Sequence, residues 1–368
     1  MKKTNLKGLT QKELEEFVVS IGEKKFRAQQ LFDHLYNKEA NSLDEMTTFS
    51  KSLRAKLNEL AEIENIKLET FHKSVHDNTT KFLFELHDGK RIESVLIPPA
   101  TSYQNGVASE EDEQKRLTLC VSTQVGCPLD CAFCATGAMG FQRNLTASEI
   151  VDQVLQIKKF TGKKITNIVF MGMGEPLMNY DNVMNAVDIL VNGLNIPARR
   201  ITLSTAGWVE GIKRMADEGK KIKLAVSLHS LNDKTRIQLM PLNKKFNLQQ
   251  LLGVIEYYYS KIKERVTFEY ILFAGVNDTE KDLKAIIKMS KIIPCKINII
   301  PFHSISFVSP RGFAEELRPV SRKDAEKFAQ SLRKNHVTVF IRSSAGEDIA
   351  AACGQLAVLA KQKRAYNK

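Results

Sequence analysis

Long apolar runs are missing from this chain. No stretch approaches the roughly 18 apolar residues a membrane-spanning helix needs, which excludes a helical membrane protein. The opening residues, "MKKTNLKGLTQKELEEF", are basic but lead into no apolar segment of the kind a secretory leader carries, so the expected location is the cytoplasm. Cysteine is scarce, six in 368 residues, and that rules out a disulfide scaffold. Internal repeats and low-complexity tracts are also lacking. Acidic residues fall short of basic ones, 42 against 54, leaving a formal net charge of +12. Such a balance favours a polyanionic partner such as RNA or DNA, although a basic, solvated surface explains it equally well. What remains, 43% hydrophobic and 26% charged, is the composition of a globular protein with one large core and a small appended domain.

Residues 1 to about 75 have helical period. In "LTQKELEEFVVSIG" Thr10 and Glu13 form a capping box ahead of Leu14, Phe17, Val18 and Ile21. "KKFRAQQLFDHLY" and "FSKSLRAKLNELAE" continue the pattern with basic residues on the other faces. A separate helical module of this kind serves either RNA contact or packing. Residues 76–115 read as a linker region, with strands "TKFLFEL" and "RIESVLI" joined by the turn "HDGK", then the polar surface loop "PPATSYQNGVASEEDEQK". From 116 the rhythm is apolar strand then helix. The strands are "TLCVST", "NIVFMGM", "RITLST", "LAVSLH", "FEYILF", "INIIPF" and "VTVFIR", and the first crossover carries a second capping box, Thr146 with Glu149. The pattern predicts an α/β fold, a full or partial (β/α) barrel, with function at the C-terminal ends of its strands.

Three of the six thiols, Cys127, Cys131 and Cys134, fall within "GCPLDCAFCATG". Structural zinc sites favour paired C-x2-C hooks with four ligands, and here one hook is incomplete. A cubane iron–sulfur cluster can take three thiolates and leave its fourth iron open. Gly126, Pro128 and Gly137 let the backbone wrap a bulky core. Spacing favours iron–sulfur and leaves zinc open.

C-x3-C-x2-C after the first strand of a βα barrel resembles the radical S-adenosylmethionine (SAM) superfamily. The resemblance implies a partial barrel, a 4Fe–4S cluster on Cys127, Cys131 and Cys134, and SAM on the open iron. It also implies reductive cleavage of SAM to a 5′-deoxyadenosyl radical. "MGMGEPL" resembles the family's segment for the SAM amino group, assigning Gly174 and Glu175 to it. Ser204, Ser227-Leu228-His229 and Asn298, near successive strand ends, are the remaining SAM contacts that the resemblance implies.

"LCVSTQVGCPLDCAFCATG", "FMGMGEPL", "SLH", "LMPLN" and "DIAAACGQL" together resemble the RlmN family of bacterial RNA methyltransferases over essentially the whole chain. That family methylates C2 of one adenine in 23S rRNA and of the adenine beside the anticodon in certain tRNAs. Its route uses two SAM molecules in turn. Cys353 matches the thiol that is methylated first, and Cys120 matches the thiol that later resolves an RNA–protein adduct, leaving a Cys120–Cys353 disulfide. Glu93 of "KRIESVLIPP" matches the proton acceptor, with a surface salt bridge as its alternative role. The stretches 98–115 and 303–320 look longer than the family norm, and Cys295 matches no motif and reads as core. The implied partners are 23S rRNA, tRNA and a flavodoxin- or ferredoxin-like electron donor, and the implied state is a monomer. The expected domains are 1–75 (helical, RNA-binding), 76–115 (β-hairpin linker) and 116–368 (radical SAM partial barrel with the catalytic-cysteine segment). Two alternatives stand: a Cfr-like enzyme methylating adenine C8, and a non-catalytic, zinc-bound RNA-binding protein.

Overall fold

The computed structural model describes residues 3–99 and 116–358. The loop at 100–115 and the basic tail "KQKRAYNK", a candidate RNA contact, lie outside the described residues. At the N-terminus, the short parallel strands β1 (Thr4–Asn5) and β2 (Ala61–Glu62) enclose helices Gln11–Ser20, Phe26–Phe32 and Lys51–Leu60. Thr10 caps the first helix as its sequence predicts: its hydroxyl accepts from Glu13 N, and Glu13 Oε2 accepts from Thr10 N at 2.8 Å. Leu14 and Val18 are buried, while Phe17 and Ile21 pack at the margin.

The helical module is not separate from the rest. Its apolar side chains join one continuous core with the helix Ala147–Thr161 and the barrel strands. The seam carries a buried ion pair, Lys7 Nζ to Asp152 Oδ1 at 2.7 Å, and Asp152 Oδ2 also accepts from Ile66 N at 2.7 Å. At Gly8, φ is +95° and a Cβ would lie 2.4 Å from Ser148 N, so only glycine permits this approach.

The main sheet is built from β3 (Lys67–Lys73), β4 (Thr80–Glu85), β5 (Arg91–Ile97) and β6 (Thr118–Cys120), followed after a small hairpin by six further strands. The hairpin is β7 (Gln124–Gly126) with β8 (Phe141–Asn144). The further strands are β9 (Asn167–Phe170), β10 (Ile201–Thr205), β11 (Lys223–Ser227), β12 (Val266–Leu272), β13 (Cys295–Pro301) and β14 (Val339–Ile341). Strands β6 and β9 to β14 pair in parallel, each beside its predecessor, with helices over the outer face. This is the partial (β/α) barrel that the alternation predicts. The strands read as nearly unbroken apolar runs because they are covered on both sides.

One element differs from the sequence reading. Residues 67–73, included there in the helical module, form β3, the outer strand of an antiparallel β3–β4–β5 extension. In "KLETFHK" exposed and half-buried positions alternate, as at an edge with one solvated face, and such a strand offers too few apolar residues to announce itself. Pairing of β5 to β6, with Val95 opposite Cys120, attaches the extension to the barrel's first strand.

Candidate active site

The strand ends surround a cavity that is open to solvent. Its floor is the thiol loop. The β7–β8 hairpin holds the base of that loop: Gly126 has φ +74°, and a Cβ there would overlap Gly140 O at 1.7 Å. Cys127 N donates to Gly140 O at 3.1 Å, Cys134 N to Cys131 O at 3.1 Å, and Ala132 N to Leu239 O at 2.9 Å. All three thiols are half-buried and line the cavity. Burial, then the neighbouring Cys134, pushes Cys127 up to about 12; Cys131 is raised for the same two reasons, with Arg236 opposing. Three thiolates so placed need a strongly cationic core to offset their desolvation and mutual repulsion. The donor set therefore fits a cluster in which one iron has no protein ligand.

Glu175 sits beside this loop at the N-terminus of a short 3₁₀ turn, Pro176–Asn179. Its oxygens accept from Leu177 N at 3.0 Å and Ala206 N at 2.7 Å, and its own N–H donates to Gln124 at 2.8 Å. Burial lifts its carboxyl to about 7, against those bonds. Gly174 (φ +102°) lies where a Cβ would meet the Gln124 side chain at 2.5 Å. A carboxylate fixed this way, with lone pairs to spare, suits an amino group.

Ser204, Ser227 and His229 also line the cavity. His229 has φ +53°, and its Nδ1 accepts from Ile271 N at 3.0 Å, which places the ring proton on Nε2. Burial, then Arg236, holds His229 down to about 3, so it is neutral. Leu228 and Asn298 are not brought to the cavity wall. Leu228 is fully buried, its N–H bonded to Glu269 O and its carbonyl shared by Ser230 N and Arg236 Nε. Asn298 instead donates to Glu269 Oε1 at 3.0 Å.

Of the two further functional cysteines, Cys353 lines the cavity and Cys120 lies behind the lining, near enough to feel its charge. Cys120 ends β6 and is buried, and burial, then Cys353, pushes its thiol up to about 12. Cys353 follows the turn Glu347–Ile349 in a segment that crosses the mouth, and its side chain is open to the cavity. Burial raises its pKa, with Arg342 pulling the other way. Each thiol feels the other's charge or that of Arg342, and Cys353 also feels Cys134 of the floor. The segment is tied to the floor by Ala135 N to Gly354 O at 2.7 Å and Thr136 Oγ1 to Leu356 O at 2.6 Å.

Glu93 lies beneath this segment rather than on the surface, so a surface salt bridge is not its role. It is 1% exposed, with Oε1 3.2 Å from Lys81 Nζ and Oε2 accepting from Ala357 N at 3.0 Å. Burial raises its carboxyl pKa and Lys81 opposes the rise. Cys295 is buried at the start of β13, away from the site, as its lack of a motif suggests.

Three charged residues at the site carry no motif signal. Arg236, 1% exposed, donates to Ala206 O (2.7 Å), Ser227 O (3.1 Å), Leu228 O (3.1 Å) and Asn243 Oδ1 (2.6 Å). Glu269 and Arg342 face each other at 3.7 Å, and Glu269 Oε2, buried in the cavity wall, has no hydrogen-bond partner. An unmet acceptor there suits a ribose hydroxyl. One signal was available: a carboxylate inside "FEYILF" is out of place in a doubly covered strand.

Comparison with known proteins agrees with this geometry. Residues 121–289 match the model of the radical SAM superfamily, and residues 4–63 match that of the ribosomal RNA large subunit methyltransferase N-terminal domain. The chain is 42% identical, over 97% of each chain, to a probable dual-specificity RNA methyltransferase RlmN of Christiangramia forsetii. It is 41% identical, over 96% of each, to the dual-specificity RNA methyltransferase RlmN of Pelobacter propionicus. Among solved structures, a radical SAM methyltransferase from Sphaerobacter thermophilus superposes with a TM-score of 0.83 at 38% identity, covering 96% of this chain and 99% of that one.

Proposed function

Because the chain belongs to the RlmN family of radical SAM RNA methyltransferases, which work with a 4Fe–4S cluster and SAM, we propose that it methylates adenine at C2, in 23S rRNA and beside the anticodon of tRNAs. The observation that carries this is the meeting, on one cavity, of a three-thiol floor with a fourth thiol, Cys353, which is backed by the buried Cys120 and shares Arg342 with it. Ordinary methyl transfer cannot use adenine C2, an electron-poor carbon, as a nucleophile, so a thiol has to carry the methyl group first.

Cys127, Cys131 and Cys134 would hold the cluster; Glu175, Gly174, Ser204, Ser227 and His229 would surround SAM, while Asn298 acts through its bond to Glu269 and Leu228 only by fixing backbone. Together the bound cluster and SAM supply an oxidant strong enough to remove a hydrogen atom from an S-methyl group. Cys353 is suited to receive the methyl group because it is open to the cavity; burial raises its pKa, and the Arg342 charge works against that rise. Its activated methylene adds to C2 and joins RNA to protein through the Cys353 sulfur. Glu93 then takes the C2 proton, the C–H pair staying in the ring, and the adduct's unpaired electron leaves to a one-electron acceptor of the iron–sulfur class. The Cys120 thiolate attacks the sulfur, and the S–C pair leaves with the methylene carbon, which takes a proton to become the methyl group of the freed RNA. The resulting Cys120–Cys353 disulfide must be reduced before the next turnover. The thiol at the end of a rigid strand thus meets one carried on a loop.

The target base has to leave its stack to reach this depth. The N-terminal helices, with their basic faces, are the proposed RNA contact, and the salt dependence of binding reports how many phosphates they reach. A flavodoxin- or ferredoxin-like protein is the proposed electron donor to what we take to be a cytoplasmic monomer; the +12 charge suits an acidic donor as well as RNA. Anaerobically reconstituted protein given SAM, reductant and unmodified 23S fragment or tRNA should yield 2-methyladenosine in the digested RNA. An 8-methyl product would replace the C2 assignment with the Cfr-like one.

A further inference from the structure

Glu93 does not stand alone. Register places Leu83 opposite Glu93 and Val95 opposite both Lys81 and Cys120, so Lys81, Glu93 and Cys120 share one face of the sheet. Lys81 and Glu93 are diagonal neighbours there, with side chains 6% and 2% exposed. Both also hold the segment above them. Lys81 Nζ donates to Ala350 O at 3.2 Å, and Glu93 Oε2 accepts from Ala357 N at 3.0 Å. Ala350 and Ala357 bracket Cys353. One buried ion pair therefore fastens both ends of the stretch that presents the methyl-carrying thiol.

The chemistry asks something difficult of Glu93. A carboxyl group this deeply buried favours its neutral form, and a neutral acid cannot take a proton from carbon. From β4 it faces the Lys81 ammonium, and from the C-terminal segment the Ala357 amide. From β6 the titratable neighbour on the same face is the Cys120 thiol, which burial keeps protonated.

We propose that Lys81 is a positioning residue for the methyl transfer, keeping Glu93 ionised as a base and registering the Cys353 segment against it. The inference rests on Glu93 being the proton acceptor. In the step concerned the C2 proton passes to a Glu93 oxygen, the electron pair of the C–H bond stays in the adenine ring, the adduct's unpaired electron leaves to a one-electron acceptor of the iron–sulfur class, and Lys81 remains charged throughout.

The test is single turnover. Enzyme already methylated on Cys353 is mixed with SAM, reductant and RNA, and decay of the covalent RNA–protein adduct is followed on denaturing gels between pH 6 and 9. Glu93→Gln should accumulate adduct at every pH. Lys81→Met should resolve it slowly at neutral pH, with the rising limb moved to higher pH by about 1–3 units, the amount by which an adjacent opposite charge lowers a carboxyl pKa. Lys81→Arg, which keeps the charge, should stay near the wild-type profile. Lys81→Gln, able to hold Ala350 without a charge, serves if the methionine variant does not fold and should shift in the same way. A neutral variant that resolves adduct on the wild-type profile, or loses rate with no shift, overturns the role of Lys81 while leaving Glu93 as the base. Normal turnover by Glu93→Gln overturns the base assignment itself.

Discussion

Among the described residues Arg236 is the largest fully buried side chain, and its removal gives a quantitative check on how the pocket is held. In Arg236→Met, Ala206 O, Ser227 O and Asn243 Oδ1 lose a charged donor, while Leu228 O keeps Ser230 N. Orphaning a buried acceptor costs about 1–3 kcal/mol, so three cost about 6 kcal/mol. Against this, the variant no longer buries a cation. Burial lowers the Arg236 pKa from 12.5 to about 10, and 2.5 units at 1.36 kcal/mol each return about 3 kcal/mol. The net expectation is a loss of about 3 kcal/mol. Arg236→Lys, a point charge without the fork, should lose about half as much. Urea unfolding of the three proteins under reducing conditions, followed by circular dichroism, reads the difference, and SAM affinity of the reconstituted proteins should fall in the same order because these carbonyls belong to the strand ends around the cavity. An Arg236→Met protein within about 1 kcal/mol of wild type would mean that the carbonyls find other donors and that the guanidinium does not organise the pocket.

Cys353→Ala should keep its cluster and cleave SAM yet never gain a methyl group, whereas Cys120→Ala should begin the reaction and trap RNA on the protein; normal turnover by the second variant would remove its resolving role. Glu175 titrates near 7 when folded against 4.5 unfolded, so between those values the folded state holds the extra proton and stability falls as pH rises, by about 3 kcal/mol in all. Glu175→Gln should abolish that fall, measured as the wild-type-minus-variant difference, because His229, held down to about 3, drives stability the opposite way up to about 6.5. Lys7→Met strands the buried Asp152 and should cost about 3–5 kcal/mol in denaturant unfolding. The same change at Lys12, whose pair with Glu16 is 87% and 68% exposed, should be undetectable.

The barrel was legible because parallel strands covered on both faces leave unbroken apolar runs, and the capping boxes at Thr10 and Thr146 mark helix starts by local chemistry alone. The thiol loop and Glu175 were legible for a related reason: the residues that perform one task lie close together in sequence. Strand β3 was not, since an edge strand is defined by its neighbour, and no local pattern in "KLETFHK" declares β4 beside it. Glu269 and Arg342 act across long sequence separations, and Arg236 acts on backbone carbonyls of two strand ends, neither of which a linear spacing reports. The same holds for the Lys81–Glu93 pair, which strand register creates. Leu228 shows the converse, a motif residue whose polar atoms are already spent on the backbone around it.

Alternation along β4 and β5 makes this arrangement intolerant of phase. Deleting a single residue from either strand would turn Lys81 or Glu93 over to the helix-covered side, where neither could reach its partner or the chain above. Length changes confined to the connecting turn at 86–90 leave the phase alone. Variation between relatives should therefore gather in that turn and spare the spacing from Lys81 to Glu85 and from Arg91 to Val95.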